Sequence, residues 1–398
     1  MGRRQGGPRA PDARRQRAAR GRAPVRRDRL AVGDRDRAVR LPEPDRAPDR
    51  LVGRGGGSRR ARGSPVKRTT AIALATLATA IALAACGGGE ADDGEPFSLT
   101  LDFYVNPDHA GVFTALERGY FDEVGLDVNP QVPSDPAAPI KQVAAGRTDL
   151  AISYEPEVIL ARDQGLDVVA VAALVNGPLT SLISLPEAGI ETAADLAGKT
   201  VVTAGIPYQA AYLETILRRA GVDPESVDLV DVGFNLMPPV ISGRADAMFG
   251  GFLNVEGVDL AERGLDPRVV PVDRLGIPTY DELVLVADRE RVESDPEPIR
   301  AFLAALERGT YAAARNPQAT TDAVLAAGNG LDPGLTGAEI DKTLPRLLPP
   351  GDRPYGWMDT GRWQRFADYL YEAGQIASRP AAAELLTNDL LPPARGDE

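Results

Sequence analysis

The sequence predicts an α/β protein of two lobes joined by two extended segments. From residue 98 onward, short apolar runs alternate with helix-spaced stretches in a β-α-β-α-β order, which implies a parallel sheet covered by helices. Breaks at Asn176-Gly177-Pro178 and Ile277-Pro278 interrupt apolar runs, and YDELVLVAD (280–288) reads as a strand returning to the first lobe. Crossovers are therefore expected near 176–188 and 276–286. Such a design puts a ligand between the lobes, at the carboxyl ends of the strands.

The elements follow in order. SLTLDFYV (98–105) alternates and is rich in aromatic and β-branched residues, so it reads as a strand. HAGVFTALERGYF (109–121) carries Val112, Leu116 and Tyr120 at helical spacing and has a Gly near its end. LDVNPQVP is a second strand, PIKQVAAGR a second helix and DLAISYE (149–155) a third strand. VVAVAALV (168–175) and TSLISLPE (180–187) flank the first break, and AAYLETILRRAG (210–221) is a strong helix. VDLVDVG, DAMFGGF and RVVPV are strand-like. Three helices follow the return strand: PEPIRAFLAALERGTYAAARNP, the TTDAVLAAG run and DTGRWQRFADYLYEAG (359–374).

The N-terminus is of another character. Residues 1–65 hold 20 Arg, no Lys and seven acidic residues, with no apolar periodicity, so this stretch cannot bury a core. It is expected to be disordered if translated, or to be upstream sequence included through a misassigned start. Lys67 and Arg68 precede an apolar run, Ala71 to Ala85, of signal-peptide length, and Leu83-Ala84-Ala85-Cys86 resembles a bacterial lipobox. Residues 66–85 are thus expected to be a lipoprotein signal peptide with the start near Val66, and Cys86, the only cysteine, the lipidated residue. Residues 86–97 read as a flexible tether. The expected lobes are 98–180 with 283–392, and 181–282.

Without residues 1–85 the chain keeps 23 basic and 50 acidic residues, a net charge of −27. That surface repels nucleic acid and anionic lipid, so membrane attachment would come from acyl chains. Catalytic motifs are sparse. AADLAGKT (193–200) misses a phosphate-binding loop, because Ala193 stands where a Gly is needed and the Lys opens a strand. There is no G-x-S-x-G or G-x-G-x-x-G, and His109, the one histidine, excludes H-E-x-x-H. His109 sits in LTLDFYVNPDHAG (99–111), where a strand gives way to a helix. With no second His and no second Cys, a metal site is not expected, and a pocket wall and a helix-start packing role remain open.

Several segments together resemble bacterial binding proteins for thiamine-pyrimidine precursors, whose opening has the form LDW-x-PN-x-x-H-x-G. They are LTLDFYVNPDHAGVFTALERGYFDEVGLDV, GRTDLAISYEPEVILARDQGLDVVAVAALVNGPLTSLI, GFNLMPPVISGRADAMFGGFLNVEG, IPTYDELVLVADRERV and YGWMDTGRWQRFADYLYEAG. The resemblance covers residues 98–390. It implies a two-lobed periplasmic-binding-protein fold (type II) and a monomeric, lipid-anchored, exported component of an ABC importer. Such a protein would hand a flat nitrogen heterocycle to a permease and ATPase, without cofactor, metal or catalysis. The resemblance nominates Phe103, in place of the family's Trp, as a stacking wall, and Asn106 and His109 at the corner. It also nominates Tyr154 and Glu155 at the third strand's tip. Phe252, Asn254 and Glu256 lie in FLNVE, a segment often written YWNVE, and Tyr280 at the return crossover. Tyr208 joins them as a further pocket aromatic. The losses of Trp at 103 and 253 leave room for a larger ring such as a flavin. Related proteins carry sulfonate or nitrate, for which the turn Gly205-Ile206-Pro207 entering a helix offers an anion site. A fungal branch makes the pyrimidine itself, with a cysteine-rich segment this chain lacks.

Overall fold

The computed structural model describes residues 94–394, which lie within one compact unit of the chain. The Arg-rich stretch, the apolar segment 66–85 and Cys86 lie outside the described residues. The first lobe carries β1 (Glu95–Thr100), β2 (Leu126–Gln131), β3 (Leu150–Ser153), β4 (Val168–Val175) and the returning β10 (Leu283–Asp288), in the order β2-β1-β3-β10-β4. β1 is parallel to β2 and β3, whereas β10 is antiparallel to β3 and β4. The second lobe carries β5 (Thr180–Ser184), β6 (Thr200–Thr203), β7 (Asp228–Asp231), β8 (Ala247–Phe252) and β9 (Arg268–Pro271), in the order β7-β6-β8-β5-β9.

All of β4 is buried, which explains its unbroken apolar run. It stands at a sheet edge, but the C-terminal segment covers it. Ala170 N–H donates to Leu385 O at 2.9 Å, and Ala173 N–H donates to Gly356 O at 2.8 Å. This pairing removes an open edge that could recruit another chain.

Helices α1 (Ala110–Glu117), α2 (Pro139–Ala144) and α3 (Glu155–Asp163) follow β1, β2 and β3. In the second lobe α4 (Pro207–Arg219) follows β6, α5 (Met237–Ile241) follows β7 and α6 (Glu256–Glu262) follows β8. After β10 come α7 (Arg289–Ser294), α8 (Glu297–Arg315), α9 (Pro317–Ala327), α10 (Pro333–Thr343) and α11 (Thr360–Glu372). α1 packs on α8 backbone to backbone. A Cβ on Gly309 would lie 2.4 Å from the Gly111 carbonyl oxygen, so only glycine lets the two helices meet this closely.

Three expectations change. β1 begins at Glu95 and buries Phe97, so residues 95–97 belong to the sheet and not to a tether. It ends at Thr100, and residues 101–106 turn across the strand end into the helical corner, although their alternation continues the strand pattern. α10 carries no helical apolar stripe; Thr336, Glu339 and Thr343 are buried beside Ile340.

The chain crosses between lobes at 176–179 and 272–282, and two carboxylates stitch these crossovers together. Glu282 accepts from Leu179 N–H at 2.6 Å, Thr180 N–H at 2.7 Å, the Thr180 hydroxyl at 2.8 Å and the Tyr280 hydroxyl at 3.0 Å. Asp281 accepts from Asn176 Nδ2 at 3.0 Å and Trp363 Nε1 at 2.7 Å, and pairs with Arg362. Glu282→Ala would strand buried donors on both crossovers. We expect it to lower the unfolding free energy by about 3 kcal/mol or more. Urea denaturation measures this, and a loss under about 1 kcal/mol would show that the stitch carries little of the fold.

Candidate functional site

The corner between β1 and α1 is built by reciprocal capping. Asn106 Oδ1 accepts from Asp108 N–H at 2.8 Å, and His109 Nδ1 accepts from Asn106 N–H at 3.3 Å, closing a capping box on the turn Pro107–His109. Because Nδ1 accepts, Nε2 carries the ring proton and donates it to Asp102 Oδ1 at 2.8 Å. The Tyr154 hydroxyl, at the end of β3, donates to Asp102 Oδ2 at 2.8 Å. Both oxygens of the Asp102 carboxylate are thus held, one by the histidine and one by the tyrosine. Burial and the neighbouring Asp102 push the Tyr154 hydroxyl far above its ordinary range, which keeps it a donor.

Asp102 forms part of the wall of a cavity between the lobes, lined by aromatic, aliphatic and a few polar side chains as small-ligand sites are. Phe103, Asn106 and Tyr154 line it from the first lobe; Gln209, Phe252 and Glu256 are among its walls from the second. These residues follow β1, β3, β6 and β8, the carboxyl ends of parallel strands. Phe103 meets Phe234 of the second lobe edge to face at a centroid distance of 4.8 Å, so an aromatic contact bridges the lobes beside the cavity.

The second lobe presents its groups through the starts of α4 and α6. Gln209 is buried, and its Oε1 accepts from Ala204 N–H at 3.0 Å, which fixes the amide's orientation. Gly250 makes room for it: at φ +103°, a Cβ there would lie 2.2 Å from Gln209 Nε2. Glu256 Oε2 accepts from Phe252 N–H at 2.7 Å, while burial pushes its carboxyl up to about 7.

Three hydrogen bonds cross between the lobes beside the cavity. Glu157 on α3 accepts from Tyr208 N–H at the start of α4, at 3.1 Å. Asn254 Nδ2 donates to Asp108 Oδ1 and to Thr343 Oγ1, each at 2.8 Å.

Of the ten residues nominated from sequence, Phe103, Asn106, Tyr154, Phe252 and Glu256 line the cavity. The other five are buried behind it. His109 backs Asp102, and Asn254 bridges the lobes. Glu155 Oε2 accepts from Asp281 N–H at 2.7 Å in the second crossover. Tyr208 and Tyr280 continue an aromatic row from Tyr154 through Tyr212 and bond Thr180 and Glu282. Sequence reasoning passed over Asp102, Gln209 and Gly250. The signal for Asp102 was an acidic residue inside an apolar run, seven positions before the only histidine. Among the described residues no group of three His, Cys, Asp or Glu side chains could hold a metal ion, and no helix is long and apolar enough to cross a membrane.

Burial holds the Glu157 carboxyl up to about 7, against the pull of the Tyr208 N–H and Lys141. The folded protein therefore binds a proton there that the unfolded chain releases above about 4.5. This contribution is fully present below about 4.5 and is lost as pH rises to about 7, up to about 3 kcal/mol. Glu157→Gln should remove that part of the slope from urea-denaturation stabilities between pH 4.5 and 8. An unchanged slope would contradict the assignment.

Comparison with known proteins places this architecture. The NMT1/THI5-like family profile matches residues 106–320. A formylaminopyrimidine-binding protein of Halalkalibacterium halodurans is 36% identical over 318 residues, covering 78% of this chain and 96% of that one. A protein of Legionella pneumophila described as 4-amino-5-hydroxymethyl-2-methylpyrimidine phosphate synthase is 25% identical, covering 74% and 92%. Among solved structures, the alkanesulfonate-binding protein SsuA of Xanthomonas axonopodis aligns with a TM-score of 0.59 at 16% identity, covering 73% and 98%. At that identity the likeness speaks for the fold alone, a two-lobed periplasmic-binding-protein architecture. The chain belongs to the NMT1/THI5-like family.

Proposed function

We propose that this protein is the exported solute-binding component of an ABC importer and captures an aminopyrimidine of the thiamine-precursor type between its lobes. The observation that carries the reading is the cavity's chemistry: an aromatic wall at Phe103, two carboxyl groups at Asp102 and Glu256, and no Lys or Arg among the described lining residues. A flat heterocycle gains area and orientation from the aromatic wall, at about 0.5–1.5 kcal/mol per ring pair beyond burial. Its exocyclic amine donates to a carboxylate. Glu256 suits the amine and the adjacent ring nitrogen together. With Oε2 occupied by Phe252 N–H, a proton on Oε1 can serve the ring nitrogen, and burial favours that protonated form.

The relative named as a formylaminopyrimidine-binding protein supports this choice of ligand. Binding rather than turnover fits the way the polar groups engage one another: the histidine is committed to Asp102 and to its own backbone cap. The signal-peptide pattern of residues 66–85 and the lipobox cysteine Cys86 carry the inference of export and lipid anchoring, with a permease and ATPase as partners.

A sulfonate or nitrate ligand is the second reading, and the start of α4 weighs against it. There Glu157 takes the Tyr208 N–H, Gln209 takes the Ala204 N–H, and Thr203 Oγ1 accepts from Gly205 N–H at 3.2 Å. The donors an anion would use are satisfied by the protein's own side chains. The Asp102 carboxylate in the wall would also repel it.

Calorimetry with formylaminopyrimidine and with 4-amino-5-hydroxymethyl-2-methylpyrimidine tests the proposal, and we expect dissociation constants in the micromolar range or below for at least one of them. Glu256→Leu should weaken binding about 100-fold, whereas Glu256→Gln, which retains a donor and an acceptor, should stay within about tenfold. Undiminished affinity in the leucine variant would remove Glu256 from the site.

A further inference from the structure

The bridge between Asn254 and Asp108 is incomplete as a set of hydrogen bonds. Asn254 Nδ2 donates to Asp108 Oδ1, but Asp108 Oδ2 and Asn254 Oδ1 are both buried acceptors without a donor. Asp108 is 3% exposed and Asn254 0%. Buried acceptors are nearly always satisfied, so two orphans on the two partners of one bond need an explanation. A single proton on the carboxyl supplies the missing donor, because an acid and an amide can exchange one N–H and one O–H bond. Turning the Asn254 amide over does not help: its oxygen would then face Asp108 Oδ1, and that contact too needs a proton.

We propose that Asp108 is held in its acid form as half of an acid–amide pair with Asn254 that joins the two lobes, so that closing the cleft takes up a proton. The surroundings favour the acid. Asp102 and His109 share its corner, Glu256 stands at α6, Glu282 in the second crossover and Glu339 on α10. Tyr355 lines a small pocket together with it. The histidine is committed to Asp102, and the carboxylates repel a further negative charge. Burial, above all, lifts the Asp108 carboxyl to about 8, against the pull of the Asn254 amide. Separating the lobes removes Asn254 and admits water, which returns the carboxyl toward its ordinary range. The sign follows: the pair favours closure at low pH, and its contribution fades as pH rises through about 8. The ligand need not touch Asp108 to feel this, since whatever biases closure biases affinity.

Asp108→Asn is the decisive variant, because an amide at 108 reproduces the protonated carboxyl with a permanent donor. Infrared spectra at pH 7 should show a protonated-acid carbonyl band in the wild-type-minus-variant difference, and raising the pH above about 9 should abolish it. The subtraction removes the contributions of Glu157, Glu256 and Glu339. Absence of the band at pH 7, both in the protein as purified and with the hydroxymethylpyrimidine added, would overturn the proposal. Should Asp108→Asn fail to fold, Asn254→Ala serves instead, and the band should weaken as water replaces the amide; an unchanged spectrum counts against the pair. The link to closure rests on the pyrimidine reading. Calorimetry of the hydroxymethylpyrimidine in two buffers of different ionisation enthalpy should find close to one more proton taken up by wild type than by Asp108→Asn. Equal proton counts would contradict the coupling, whereas no binding in either protein would count against the ligand assignment alone.

Discussion

The buried carboxylate of Glu282 joins the two crossovers on which the lobes hang. It comes from the second crossover and holds the backbone at the end of the first. Four donors converge on it, so the carboxylate replaces water with a full set of protein partners. Beside it, Asp281 gathers Asn176 from the first crossover and Arg362 and Trp363 from α11. The connection between the lobes is therefore a stitched pair of strands, not a loose glycine linker. Lobe movement has to work through that stitch, and the cleft opposite inherits its alignment. Glu155 extends the stitch to α3, because its carboxylate accepts from Asp281 N–H.

The same device recurs at the cavity. Asp102 is fixed by His109 on one oxygen and Tyr154 on the other, which ties the β1–α1 corner to the tip of β3. A wall group held at both ends is pre-ordered, and a ligand that meets it loses less to side-chain ordering. From the second lobe, Gln209 is oriented by Ala204 N–H and admitted by the missing side chain at Gly250. The two lobes thus bring dissimilar chemistry to one space: an aromatic and a pinned carboxylate from one, an amide and a buried acid from the other. Several of these groups are acids in low-dielectric surroundings, and Glu256, Glu157 and Asp108 are all pushed toward or past neutrality.

Much of the fold was legible because burial leaves periodic marks. β4 reads as one apolar run because all of it is buried, and α4 shows Tyr208, Tyr212, Leu213, Ile216 and Leu217 at helical spacing. What failed to show was structure held by polar contacts. α10 buries threonine and glutamate, so no hydrophobic stripe announces it. The corner at 101–106 alternates like a strand but turns, since its conformation is set by the Asn106 cap and the Asn106–His109 bond. The site was half visible for the same reason. Phe103 and Glu256 are residue types that advertise a pocket, whereas the role of Asp102 depends on His109 and Tyr154, seven and 52 residues away. Asn254 sits in the motif that suggested a ligand contact, yet its partners, Asp108 and Thr343, are 146 and 89 residues distant. A sequence pattern records that such residues belong together without saying which of them faces the solute.

The central claim is that the cavity between the lobes holds an aminopyrimidine and returns it unaltered. Native mass spectrometry of the protein purified from cells fed a thiamine-precursor pyrimidine, followed by denaturation and identification of the released molecule, tests this most directly. The account predicts a one-to-one complex that yields the intact pyrimidine and is lost in Glu256→Leu. Release of a sulfonate, a flavin or a chemically altered pyrimidine would contradict it.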